Sequence, residues 1–274
     1  MSILRVFPRR TAATPRDALA FVGEPPLWIP ETATEIHVSC AFTWDLHRAE
    51  QLARSWGRFG LPVHLGGPAL MEPSGEFTPG RYMGAGHVIT SRGCPNSCWF
   101  CRVPEREGAL RELSITEGWL VHDDNLLACG EQHFRAVLSM LARQPHPAEF
   151  RGGLEAARLQ PWHVEALRGI RVAQIFLAYD GPEDLEPVEH AAQLLLAAGY
   201  TRTSHDLRCY VLIGYPGDTF GDAEARLLVV RDFGLWPMAM LWHDESGDTD
   251  REWRRFQRLW ARPALIGRQG RLAV

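Results

Sequence analysis

Two hydrophobic periods alternate along the chain. Short runs rich in branched and aromatic residues are bounded by turn residues: "EIHVSC", "AEFRGG", "VAQIFLAYD", "LRCYVLIGYPGD" and "PMAMLWHD". These read as strands. Between them, apolar residues recur every three or four positions, the period of an amphipathic helix. In "WDLHRAEQLARSWGRFG", Leu46, Ala49, Leu52, Ala53 and Trp56 share one face, and Gly60 marks the end. A strand near Ile3 to Phe7 stands in an otherwise irregular stretch over 1–35. "LPVHLGGPAL" is a strand entering a Gly-Gly turn, so 36–70 forms a β-α-β unit. "MEPSGEFTPGRYMGAG" reads as a linker.

From "GHVITS" onward the alternation is unbroken. "LVHDD", "AEFRGG", "VAQIFLAYD", "LRCYVLIGYPGD" and "PMAMLWHD" complete six strands, with five intervening helices. Such alternation predicts a parallel sheet with right-handed crossovers. Six units are too few for an eight-fold barrel. The expected fold is α/β: a partial (βα)6 TIM-like barrel of parallel strands, preceded by a small β-α-β segment. The expected division is 1–85, 86–244 for the barrel core, and 245–274 for an amphipathic helix and tail.

Composition narrows the function. The 274 residues carry a formal net charge of −4 and are 46% hydrophobic, enough for a large core. That balance gives no broad field for nucleic acid. All 29 basic residues are arginine, which excludes lysine Schiff-base chemistry. No apolar run reaches about 18 residues, so no membrane span is expected. The N-terminus lacks the apolar core of a signal peptide, so the expected location is cytoplasmic.

In parallel α/β sheets, chemistry collects where strands end at their carboxyl termini. The strand ends here offer Asp123, Asp124 and Asn125; Gly152, Gly153 and Glu155, with Arg158 beyond; Tyr179 and Asp180; Ile213, then Gly214 to Asp218; and Trp242, His243 and Asp244. The first barrel strand is followed by "SRGCPNSCWFCRVPE", with Cys94, Cys98 and Cys101 spaced C-x-x-x-C-x-x-C. Thiolates bind iron–sulfur clusters and zinc. Three can hold three corners of a cubane and leave one iron open. Zinc would need a fourth ligand, such as Cys40 or a histidine. Cys40, Cys129 and Cys209 lie in apolar contexts and read as buried small residues.

"GCPNSCWFC" resembles the cluster-binding motif of the radical S-adenosylmethionine superfamily. "VHDDNLL" and "VLIGYPGDT" resemble strand-end motifs of its branch containing cobalamin-dependent members and methylthiotransferases, and "FLAYDG" sits where that branch carries G-x-E-S. The resemblance spans about 86–244. It implies a [4Fe-4S] cluster on Cys94, Cys98 and Cys101, with S-adenosylmethionine on the fourth iron. It also implies reductive cleavage to a 5′-deoxyadenosyl radical, with a flavodoxin- or ferredoxin-type electron donor. By the same resemblance, Phe100, Ile213 and Gly214 would meet the adenine. Asp123, Asp124 and Asn125 would meet the amino group. Glu155 or Arg158 would meet the carboxylate or ribose, and Tyr179 and Asp180 the ribose. Tyr215, Trp242 and His243 are the substrate-side candidates.

The chain departs from that pattern. Asp180 and Gly181 stand for the Glu-Ser of G-x-E-S, Asp218 for a glutamate, and "GGLEAARL" has a leucine before Glu155. "VSCAFTWDLHRAEQLARSW" and "VHLGGPAL", within 38–70, resemble the last part of a cobalamin-binding domain. Asp45 and His47 fall on a helix, and Glu50 replaces the glycine of D-x-H-x-x-G, so a truncated remnant without bound cobalamin is expected. Methylthiotransferases usually carry three more cysteines upstream and an RNA-binding domain downstream; with Cys40 alone before the motif and 30 residues after the barrel, neither is expected here. The tail "REWRRFQRLWARP" places Trp253, Phe256 and Trp260 on one face and Arg254, Arg255, Arg258 and Arg262 elsewhere. Packing on the barrel is expected for it rather than nucleic-acid binding. Two alternatives remain: a cobalamin-dependent radical methyltransferase, and a non-catalytic metal-bearing nucleic-acid-binding module.

Overall fold

A parallel sheet underlies each half of the chain in the computed structural model, which describes residues 2–201, 206–244 and 246–260. The chain divides into two units, Met1–Gly118 and Trp119–Val274.

The first unit contains β1 (Ser2–Phe7), β2 (Ala20–Val22), β3 (Ala33–Ser39), α1 (Leu46–Trp56) and β4 (Val63–Gly66). It continues with β5 (His87–Val88), β6 (Ser91–Arg92), α2 (Val103–Glu107) and β7 (Arg111–Glu112). Strands β2-β1-β3-β4 form a four-stranded sheet, parallel throughout. The period-2 pattern decides its faces. Leu4, Val6, Ile36 and Val38 point to one side and form a core with Ala49, Leu52 and Trp56 of α1. A parallel sheet normally carries helices on both faces. Here the side bearing Arg5 and His37 is covered instead by an irregular segment around 72–83. Arg5 pins that segment by donating to the carbonyls of Gly80 (2.8 Å) and Arg81 (2.9 Å), and it pairs with Asp17.

The second unit contains β8 (Leu120–Val121), α3 (Glu131–Ala142), β9 (Ala148–Phe150), α4 (Pro161–Arg168), β10 (Val172–Tyr179), α5 (Leu185–Ala197), β11 (Leu207–Ile213), α6 (Phe220–Asp232), β12 (Trp236–Leu241) and α7 (Arg251–Trp260). Its five strands lie in sequence order, each parallel to the last. This is the winding of a partial TIM-like barrel, and the fold is α/β as expected. Ile175, Leu177, Cys209, Val211 and Ile213 are buried on the strands; Phe134, Leu167, Leu195 and Leu227 are buried on the helices. Thr219 caps α6, its hydroxyl accepting from the Asp222 amide at 3.1 Å.

Helices α1 and α3 to α6 fall where the periodicity places them. Three local features differ. "GHVITS" is two short strands, β5 and β6, rather than one. The stretch expected to be irregular contains β2, which pairs with β1. Strand β6 turns back into an antiparallel pair with β7. No helix among the described residues is long and apolar enough to cross a membrane.

Candidate functional site

The cysteine loop runs from the end of β6 to the start of α2. Gly93 starts it with φ +83°, and a Cβ there would lie 2.4 Å from the Ala109 carbonyl oxygen. Only glycine permits this close backbone crossing. Further along, the Cys101 amide donates to the Cys98 carbonyl at 3.0 Å, which closes the second half of the loop into a turn. Cys98 is exposed, Cys94 and Cys101 are half-buried, and no cysteine is in a disulfide. Trp99 is exposed and meets Phe100 edge-on at 5.5 Å.

A buried carboxylate fastens this loop. Glu107, the last residue of α2, has a fully buried side chain. It accepts from the Ser74 amide (3.0 Å) and hydroxyl (2.8 Å), and from Arg111 (2.6 Å), Arg106 (3.0 Å) and Arg92 (3.5 Å). Arg92 precedes the cysteines, whereas Arg106 and Arg111 follow them. Burial works to raise the carboxyl's pKa, but the Ser74 hydrogen bonds and the arginines outweigh it, and the net shift is downward. Nothing local in "CRVPEREGALRE" marks Glu107 for this role, because Ser74 and Arg92 reach it from elsewhere in the chain.

Cys40 and Cys209 are fully buried, as expected of small apolar residues; Cys129 is half-buried. Burial pushes the Cys40 thiol up to about 11, and its Sγ contacts the Phe42 carbonyl at 3.3 Å. A thiol so placed is a poor fourth ligand for zinc.

At the strand ends of the second unit, Asp123 and Asn125 are buried and Asp124 is half-buried. A Cβ at Gly152 would lie 2.1 Å from the Asp123 carbonyl oxygen, so glycine lets β9's exit pass against β8's. The structure brings together three residues that the sequence only placed in a series. Asn125 Nδ2 and Arg158 Nε both donate to Glu155 Oε2, each at 2.6 Å.

Asp180 accepts from the Leu212 amide at 3.2 Å. Burial pushes its carboxyl up to about 7, and the nearby Asp184 charge pushes the same way. Asp184 in turn accepts from the amides of Asp180 and Gly181. Tyr179 and Ile213 are buried. Gly214 has φ +72°, and its amide donates to Asp218 Oδ2 at 2.7 Å. Arg226 holds the same oxygen at 2.8 Å and lies 5.3 Å from the Tyr215 ring centre. A Cβ at Gly214 would meet Leu241 at 2.6 Å and Trp253 at 3.1 Å, so this glycine also serves packing. The Trp242 amide donates to the Ile213 carbonyl, and His243 Nδ1 lies 3.3 Å from the Gly247 carbonyl.

Helix α7 lays Trp253 and Phe256 on Phe220 of α6, at 4.2 and 5.5 Å between ring centres, and buries Trp260. Arg254, Arg255 and Arg258 are exposed; Arg262 lies outside the described residues.

No family model and no curated protein matches the chain. Its fold resembles that of a radical S-adenosylmethionine methyltransferase, TsrM, from Kitasatospora setae, solved with cobalamin and a [4Fe-4S] cluster bound. The TM-score is 0.61 at 12% identity, covering 87% of this chain and 74% of that one. At that identity the likeness establishes the fold.

Proposed function

We propose that the protein is a radical S-adenosylmethionine enzyme that abstracts hydrogen from its substrate. The observation that carries this reading is the cysteine loop. Three unbridged thiols sit on one turn-closed loop, anchored at both ends, in a chain whose fold matches a solved member of that class. Three thiolates suit a cubane with one open iron better than a closed four-ligand zinc site. A [4Fe-4S] cluster held by Cys94, Cys98 and Cys101 would supply one electron to the sulfonium of S-adenosylmethionine, giving methionine and a 5′-deoxyadenosyl radical.

The remaining residues bind and orient. Arg158 spends Nε on Glu155, leaving its terminal guanidinium nitrogens for the methionine carboxylate. Asp123 and Asp124, with Asn125 steadied by Glu155, suit the amino group. Asp180, with its pKa near 7, can donate to or accept from a ribose hydroxyl. By the family resemblance, Phe100 is the first unit's candidate for the adenine and Ile213 and Gly214 are the second unit's, with Tyr179 the candidate for the ribose. Tyr215, Trp242 and His243 would face substrate. A flavodoxin- or ferredoxin-type protein would deliver the electron.

One observation favours a second reading, cobalamin-dependent methyl transfer. The first unit holds a cavity of about 490 Å³ lined by residues that follow β1, β3 and β4, including Arg9, Phe42 and Gly67. That is where open parallel sheets bind ligands. Asp45 lines it, paired with Arg9, but His47 is exposed on α1 outside the lining and contacts Gln51. A corrin there would take no ligand from His47. The experiment is anaerobic reconstitution with iron and sulfide, with and without cobalamin. About four irons per chain, lost in the Cys94, Cys98 and Cys101 to alanine variant, supports the main reading. Stoichiometric cobalt retention shifts it to the second. Zinc alone rejects both.

A further inference from the structure

The face of the first sheet that lacks a helix carries a cluster with no part in the reading above. Glu35 and His37 are two apart on β3 and therefore project to the same side. His64 on β4 pairs in register with His37. The three donor atoms lie within 4.8 Å of one another. His37 Nε2 is 3.0 Å and His64 Nε2 is 3.7 Å from Glu35 Oε2.

We propose that Glu35, His37 and His64 bind a divalent first-row transition ion, zinc being the natural occupant, with an open coordination position toward the cavity of about 490 Å³. Two imidazoles and one carboxylate are a donor set found in catalytic zinc sites that keep a position for water or substrate. The geometry fits. Metal–ligand bonds of about 2.0–2.1 Å in a tetrahedron put ligand atoms about 3.3 Å apart, and the separations of 3.0 and 3.7 Å bracket that value. His64 is the donor that must turn to complete the set, and its side chain is 59% exposed.

A second observation points the same way. The other ring nitrogen of His37, Nδ1, is hydrogen-bonded to the Tyr82 hydroxyl, and the two rings stack at 6.0 Å. Metal-bound histidines are typically oriented through their second nitrogen. Without metal, Nε2–H donates to Glu35 and Nδ1 accepts from Tyr82. With metal, the imidazole proton moves to Nδ1 and donates to the tyrosine oxygen, leaving the Nε2 lone pair for the ion. Glu35 is placed for the carboxylate role: its Oε2 is the atom that both imidazoles already approach. His37 and His64 both line the cavity, so a small molecule lodged there would meet the open position.

The test uses the full-length chain with Cys94, Cys98 and Cys101 changed to alanine, so that thiolates do not compete. Circular dichroism verifies folding of every variant, and cobalt(II) is the probe. One equivalent should bind with a d–d spectrum of low coordination number and no sulfur charge-transfer band, and zinc should displace it. His37→Ala and His64→Ala should each abolish stoichiometric uptake, and Tyr82→Phe should weaken it about tenfold. A folded chain that takes up no cobalt, or uptake unchanged in His64→Ala, overturns the proposal. Activity of the cysteine loop plays no part in the readout, so failure here leaves the radical reading standing.

Discussion

Glu107→Gln is the sharpest perturbation of the cysteine loop that leaves the cysteines alone. The carboxylate is fully buried and collects three guanidiniums and two Ser74 donors. At an effective dielectric of about 20, one charge pair about 4 Å apart is worth about 4 kcal/mol. Removing one partner from a buried pair costs about 3–5 kcal/mol, because the partners stay buried without compensation. Glu107→Ala should cost that amount. Glu107→Gln, which keeps shape and some hydrogen bonds, should cost about 2 kcal/mol. The sign with pH follows from the depressed pKa. The stabilisation is present above the ordinary value of 4.5 and is lost as pH falls through the lower, folded value. Urea midpoints between pH 3 and 8 would show wild type losing its advantage over Glu107→Gln only at the acidic end. The same variant should release reconstituted iron faster on gel filtration, since Arg92 and α2 then no longer share one anchor. Equal urea midpoints and equal iron retention at pH 7 would refute the reasoning.

Three further outcomes are expected. Gly93→Ala should prevent cluster assembly, because its Cβ would lie 2.4 Å from the Ala109 oxygen at a φ of +83°; iron per chain after reconstitution checks it. Asp180→Asn should flatten a pH dependence: an acid raised to about 7 loses stability as pH climbs from its ordinary 3.8 through 7, so the variant's relative stability should grow across that window, and a constant difference would contradict it. Trp253→Ala should cost about 2–3 kcal/mol by removing its packing on Phe220 and Phe256, read from thermal unfolding of the chain.

Much of this fold could be read from the sequence because its signals are local. Ile36 and Val38 alternate with polar residues on β3, Leu52 and Trp56 repeat at helical spacing on α1, and the Cys94–Cys101 spacing sets three thiols on one loop. What escaped depends on residues distant in the chain. Strand β2 is three residues long, and only its pairing with β1 makes it a strand. Glu107 looks solvated until Ser74 and Arg92 close around it from 33 and 15 positions away. Glu35 and His37 could have been noticed as an i, i+2 pair, but His64 joins them only through the β3–β4 register. In the sequence Asp180 stands out only by its place at a strand end. Its raised pKa follows from burial and from Asp184, one turn further along.

The most direct test of the central claim is the yield of 5′-deoxyadenosine from reconstituted protein given dithionite and S-adenosylmethionine without oxygen, with the Cys94, Cys98 and Cys101 to alanine variant alongside. The account predicts 5′-deoxyadenosine and methionine in equal amounts from the wild type and none from the variant. A wild type with an intact cluster that gives no 5′-deoxyadenosine, alone or with candidate substrates, would contradict it.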